Sequence, residues 1–166
     1  EIVVLSDANT GFDRQAIRNL VRWFQDPAVG VVCGRLILVD QATGRNVDGM
    51  YWRYENFLKE CEGRLSALLG SNGAIYAVRR DSYVPIPNDT IVDDLVIPLQ
   101  IKLHKRQNIV YDRTAFATET TAVDITAEFR RRSRIGAGGF QSAVRLWKLM
   151  LPSNGWTSLA FFSHKI

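Results

Sequence analysis

Hydrophobic and polar positions divide the first two thirds of the chain into alternating strand-like and helix-like blocks. The β-branched run "IVVL" (2–5) stops abruptly in Ser6, Asp7, Ala8 and Asn9, the pattern of a buried strand ending in a turn. Ile17, Leu20, Val21 and Phe24 then recur at i, i+3, i+4 and i+7, which predicts an amphipathic helix capped by Asp13 and ended by Pro27. "VGVVCGRLILVD" (29–40) predicts a second strand, bent at Gly34. Beyond a polar loop, Tyr54, Phe57, Leu58, Cys61, Leu65 and Leu68 form one face of a helix over 50–70, stopped by Gly70. "AIYAVRR" (74–80) predicts a strand, and "VPIPND" is a loop because its prolines forbid a helix. A helix follows Asp93 and Asp94, with Pro98 in or near its first turn. "NIVYD" (108–112) and "AFATET" (115–120) predict two further strands. From Asp124 to about Leu151 the pattern is helical and basic, interrupted by "GAGG" (136–139). Alternating strands and helices predict an α/β layered sheet. One domain spans 1–166, with a sheet part over 1–120 and a basic helical part over 121–166.

Composition narrows the class only a little. With 166 residues, 46% hydrophobic and 23% charged, the chain can bury a core. A net charge of +4 suits an anionic ligand but is too small by itself to argue nucleic acid. Cys33 and Cys61 have neither metal-ligand spacing nor a disulfide framework, so a reducing compartment is expected. The chain opens inside a strand-like run and closes on the apolar "LAFFSHKI", which predicts a fragment of a longer protein.

Four groups of residues carry candidate chemistry. Asp7 and Asn9 end a strand, where α/β sheets bind ligands, and their oxygens suit Mg²⁺ or Mn²⁺; the same residues also make ordinary turns. Asp93 and Asp94 either cap the helix that follows or supply a general base that the helix N-terminus keeps ionised. Arg130, Arg131, Arg132 and Arg134 form a solvated basic face or hold a diphosphate bidentately. The glycines at 136–139 are not a P-loop, since no Gly-Lys-Ser/Thr follows. Gly70, Ser71, Asn72 and Gly73 form a tight turn or a close backbone approach to a sugar.

In order along the chain, these pieces resemble an inverting glycosyltransferase of family 2, in the branch of membrane-bound polysaccharide synthases. "SDAN" resembles the D-x-D motif, which implies that Asp7 and Asn9 hold a divalent metal, Mg²⁺ or Mn²⁺, with Asn9 standing where the family has Asp. "VDD" (92–94) is similar to the motif whose last Asp is the catalytic base, implying Asp94 with Asp93 in support. "RRSRI" (131–135) resembles the Q-R-x-R-W motif beside the diphosphate and acceptor, implying Arg131, Arg132 and Arg134, with Arg131 in place of Gln and Ile135 in place of Trp. Asn72 and Gly73 fall where donor sugar and acceptor meet, and Asp7 is implied in donor binding as well.

The fold so implied is a partial GT-A (Rossmann-like) mixed sheet flanked by helices, lacking the N-terminal half that binds the nucleotide base. The implied partners are a nucleotide-sugar donor, a UDP-sugar by this resemblance, and a saccharide or lipid-linked acceptor. The membrane would be reached through segments outside this chain, at its cytoplasmic face, and the fragment alone is expected to be soluble and inactive. No nucleic acid is implied, though a basic RNA-binding module is a rival class. Sheet edges left open by a missing half make a homodimer an expectation. The departures Asn9, Arg131 and Ile135 motivate a further rival, a non-catalytic regulatory or scaffolding domain with a vestigial sugar-nucleotide pocket.

Overall fold

A computed structural model describes residues 1–40, 46, 50–65, 67–121 and 125–165. Five strands form one sheet: β1 (Ile2–Leu5), β2 (Thr10–Phe12), β3 (Val29–Asp40), β4 (Tyr76–Arg79) and β5 (Asn108–Thr121), in the order β1-β4-β3-β5-β2. The pairings are antiparallel except β3 with β5, which is parallel, so the sheet is mixed. The helices are α1 (Ala16–Val21), α2 (Met50–Arg64), α3 (Asp93–Lys105), α4 (Ile125–Arg145) and α5 (Trp156–Lys165).

The central strands are apolar on both faces because both faces are covered. Alternation along β3 sends Val31 and Cys33 to one side and Val32 to the other, and β4 does the same with Tyr76 and Val78 against Ala77. The first side packs on Ile97, Leu99 and Ile101 of α3, on Leu146 and Leu149 just beyond α4, and on Phe161 of α5. The second packs on Ala16 and Leu20 of α1 and on Phe24. Each fully buried Leu or Ile in these clusters contributes roughly 1.5–3 kcal/mol by leaving water.

Several elements differ from the sequence expectation. The helix expected up to Pro27 is short, and the chain continues as a 3₁₀ turn over Arg22–Gln25. Strand β2 was not expected, and it exists by pairing Thr10–Phe12 with Ala117–Glu119 of β5. The two strands expected over 108–120 are one, because β5 absorbs an irregularity opposite Gly34 and Arg35 and continues. There the buried carboxylate of Asp112 accepts hydrogen bonds from Arg22 (2.8 Å), Trp23 Nε1 (2.7 Å) and Thr114 Oγ1 (2.6 Å). Burial pushes its pKa up, yet these donors together outweigh burial and hold it below the usual carboxylate range. Gly34 fits this bend for want of space: a Cβ would stand 2.5 Å from the Ala115 carbonyl oxygen.

Helix α2 ends at Arg64, before Gly70, and its expected apolar face is only partly covered: Tyr54 is 59% and Phe57 60% exposed, while Leu58 and Cys61 are half-buried. Pro98 lies inside α3 rather than in its first turn. Helix α4 runs unbroken through Gly136–Gly139. Gly138 allows its approach to the segment leading into α3, since a Cβ there would come within 2.8 Å of Val92 Cγ1. Among the described residues, no helix is long and apolar enough to cross a membrane.

Candidate functional site

A cleft of about 660 Å³ opens where β1, the Gly70–Gly73 turn, α3 and α4 converge. Its lining includes Asp7, Asn9, Asn72, Gly73, Asp93, Asp94, Arg131 and Arg134, all of them singled out in the sequence. Arg130 and Arg132, also singled out, are exposed on α4 and not part of the lining. The helix explains the difference: Arg131, Arg134 and Ile135 share a face at i, i+3 and i+4, and Arg132 points about a quarter-turn away.

Asp94 is tied to the neighbouring turn through both its side chain and its main chain. Its Oδ2 accepts the Gly73 N–H at 3.2 Å, and its main-chain carbonyl accepts both the Ser71 N–H at 3.0 Å and the Ser71 hydroxyl at 2.7 Å. The helix N-cap is Val92, with no side-chain cap, so Asp94 turns to the neighbouring loop instead of capping its own helix. The loop is itself fixed by Asn72, whose Oδ1 accepts the Ala74 N–H at 3.2 Å, an Asx turn. The turn reading of this segment is therefore met.

The expectation that the helix N-terminus dominates the Asp94 charge is reversed. Burial, and next the neighbouring Asp93, push its pKa up; the Gly73 N–H and Lys59 offset this in part, and Asp7 adds to it. Asp7 faces Asp94 across Gly73: a Cβ on that glycine would lie 3.5 Å from Asp7 Oδ2 and 3.5 Å from Asp94 Oδ2. A small gap bounded by two carboxylates is a place where a hydroxyl group can give up a proton.

Asn9 donates its amide Nδ2–H to Glu119 Oε1 at 2.7 Å, which leaves the amide oxygen as the end not used by Glu119. Oxygens from Asp7 and Asn9 suit a hard divalent cation. Among the described residues, no group of three or more His, Cys, Asp or Glu could hold a metal alone. A cation here would thus complete its shell with oxygens of a substrate or water, as Mg²⁺ commonly does with phosphates.

Sequence reasoning missed Glu119, Glu55, Lys59 and Glu62, which also line the cleft. Glu119 enters because β2 pairs Thr10 with it, and Lys59 because α2 turns its polar side to the cleft. Both depend on tertiary pairing, and the sequence pattern holds no local signal for either. Helix α4 is tied to the segment before Asp93. Gln141 accepts the Ile91 N–H at 3.1 Å and donates to the Asp89 carbonyl at 3.0 Å, and Arg145 pairs with Asp89 at 2.6 Å.

No protein-family model matches the chain, and no curated protein matches it in sequence. Among solved structures, it is similar to a mannosyltransferase, PcManGT from Pyrobaculum calidifontis, in complex with GDP-Man and Mn²⁺. The TM-score is 0.74 at 20% identity, over 99% of this chain and 45% of that one. The fold is therefore that of a glycosyltransferase. The chain spans less than half the length of that structure.

Proposed function

We propose that this chain is the metal, base and acceptor part of an inverting glycosyltransferase of family 2 that uses a nucleotide-sugar donor. The observation that carries the proposal is the single gap at Gly73, flanked by Asp7 and Asp94, in a cleft that also holds Asn9, Arg131 and Arg134. Similarity to a protein solved with GDP-Man and Mn²⁺ supports the same class of donor and a divalent cation.

In the proposed reaction, Asp94 takes the proton of an acceptor hydroxyl as that oxygen attacks the anomeric carbon. The bond from this carbon to the diphosphate breaks, and the leaving nucleoside diphosphate keeps the electron pair. Because burial raises its proton affinity, the Asp94 carboxylate is a stronger base than an exposed one. Asp93 supports it by adjacent negative charge. Arg131 and Arg134 offset charge on the diphosphate from one helix face, with Arg132 supplying more distant positive charge. Asn72 and Gly73 hold the turn against which donor sugar and acceptor meet. Asp7 and Asn9 would hold a divalent cation, which would supply further charge neutralisation on the diphosphate.

The finer assignments are proposals of the same kind. A UDP-sugar follows from the family resemblance, although the similar structure holds GDP-Man. None of the described residues lining the cleft is aromatic, so base identity would be read elsewhere. A saccharide or lipid-linked acceptor and a membrane location for the whole protein follow from the family resemblance. Dimerisation through sheet edges is supported by β1 and β2 being the outermost strands.

The test uses the full-length enzyme. GDP-mannose and UDP-glucose are each titrated calorimetrically with and without Mn²⁺, against wild type, Asp7→Ala and Asp94→Asn. The expected result is Mn²⁺-dependent binding of one donor, lost in Asp7→Ala; Asp94→Asn keeps binding and loses transfer. A folded wild-type protein that binds neither donor refutes the enzyme and favours a vestigial pocket, while transfer by Asp94→Asn refutes the base.

A further inference from the structure

Pro98 sits in the interior of α3, a position where proline ordinarily costs a helix about 3 kcal/mol. Its effect falls on one atom. A residue at 98 with an N–H would donate it to the carbonyl four residues back, which is that of Asp94. Proline has no such donor, and its ring crowds that carbonyl as well. In the structure the Asp94 carbonyl is bonded to Ser71, through both its N–H (3.0 Å) and its hydroxyl (2.7 Å). The same turn sends the Gly73 N–H to the Asp94 carboxylate, and it passes so close to the helix that a Cβ on Gly70 would stand 3.1 Å from Leu95 Cδ1.

We propose that Pro98 is a positioning residue: by vacating the Asp94 carbonyl it hands that carbonyl to Ser71, which pins the first turn of α3 to the Gly70–Gly73 turn and fixes the Asp94 side chain in the cleft. Its weight in the reaction rests on Asp94 being the base, as proposed above. Pro98→Ala restores the helical donor, which then competes with Ser71 for one acceptor. The stable helix and the held carboxylate are thus set against each other at residue 98.

The experiment measures nucleoside diphosphate release by full-length enzyme from GDP-mannose or UDP-glucose, whichever titrates, in Pro98→Ala, Ser71→Ala, Ser71→Thr and the Pro98→Ala/Ser71→Ala double variant, with Asp94→Asn as reference. Pro98→Ala and Ser71→Ala are each expected to lower kcat about tenfold, with KM for the donor changed less than about twofold. The double variant is expected to be no worse than the weaker single, because both act on one carbonyl. Ser71→Thr, which keeps the hydroxyl, restores kcat. Pro98→Ala melts no lower than wild type, alanine being the better helix former, while the Ser71 amide exchanges faster with solvent. Unchanged kcat in both single variants, with Asp94→Asn inactive, overturns the positioning role and leaves the base intact. So does a fall in kcat that tracks a lower melting temperature. Transfer by Asp94→Asn overturns the base itself and the role of Pro98 with it.

Discussion

Gly73→Ala separates what the cleft does from what holds the fold. The added methyl would lie 3.5 Å from Asp7 Oδ2, 3.5 Å from Asp94 Oδ2 and 3.7 Å from Asp94 Cβ, all ordinary van der Waals distances. Gly73 is not among the positive-φ glycines, so alanine fits its backbone. Folding is therefore not penalised, and the stiffer unfolded chain favours the native state by about 0.4–1 kcal/mol. The cost falls on the reaction. A hydroxyl must come within about 3 Å of Asp94 Oδ2 to lose its proton there, and the methyl takes the space between the two carboxylates. A displacement of about 1 Å at a reacting centre lowers rate roughly 100-fold, or about 2.7 kcal/mol. The expected outcome in full-length enzyme is a kcat down about 100-fold with a melting temperature equal to or above wild type, read by nucleoside diphosphate release and thermal denaturation. Wild-type kcat refutes the assignment of the gap to the acceptor, and a lowered melting temperature refutes the steric reasoning.

Gly34→Ala has the opposite signature: its Cβ meets the Ala115 carbonyl oxygen at 2.5 Å and Ile75 Cγ1 at 2.9 Å, so denaturant unfolding should show a loss on the order of 3 kcal/mol. For Lys102, burial lowers the pKa from 10.5 to about 8, so the folded state binds its proton less well than the unfolded state. Its charge therefore opposes folding most fully below pH 8, and that opposition fades between pH 8 and 10.5. Wild type minus Lys102→Met stability, measured by urea titration across that window, should rise with pH; a flat difference refutes the burial of its charge.

Strands β1, β3 and β4 were legible because each is a short or nearly continuous apolar run between turn residues. Thr10–Phe12 was not, since three residues without alternation become a strand only when β5 offers a partner. Gly136–Gly139 looked like a break because glycine is a poor helix former, whereas packing of Gly138 on Ile91 and Val92 overrides that propensity. The stripe from Tyr54 to Leu68 has helical spacing, yet Tyr54, Phe57 and Leu65 are exposed while Leu68, beyond the helix, is buried. In the cleft, ordered motifs pointed to Asp7, Asn72, Asp94 and Arg134, while Glu119 and Lys59 arrive only through pairing and packing. Periodicity could have preferred Arg131 to Arg132, because Arg131 and Arg134 are three apart on a helix.

The bonds between α4 and the Asp89–Ile91 segment have a mechanical consequence. Gln141 grips that segment by both ends of its amide, Arg145 adds an ion pair, and Gly138 lets the helix lie against Val92. The arginine face of α4 and the carboxylates at the head of α3 are therefore tied to one another. A push on α4 from outside is transmitted directly to Asp93 and Asp94.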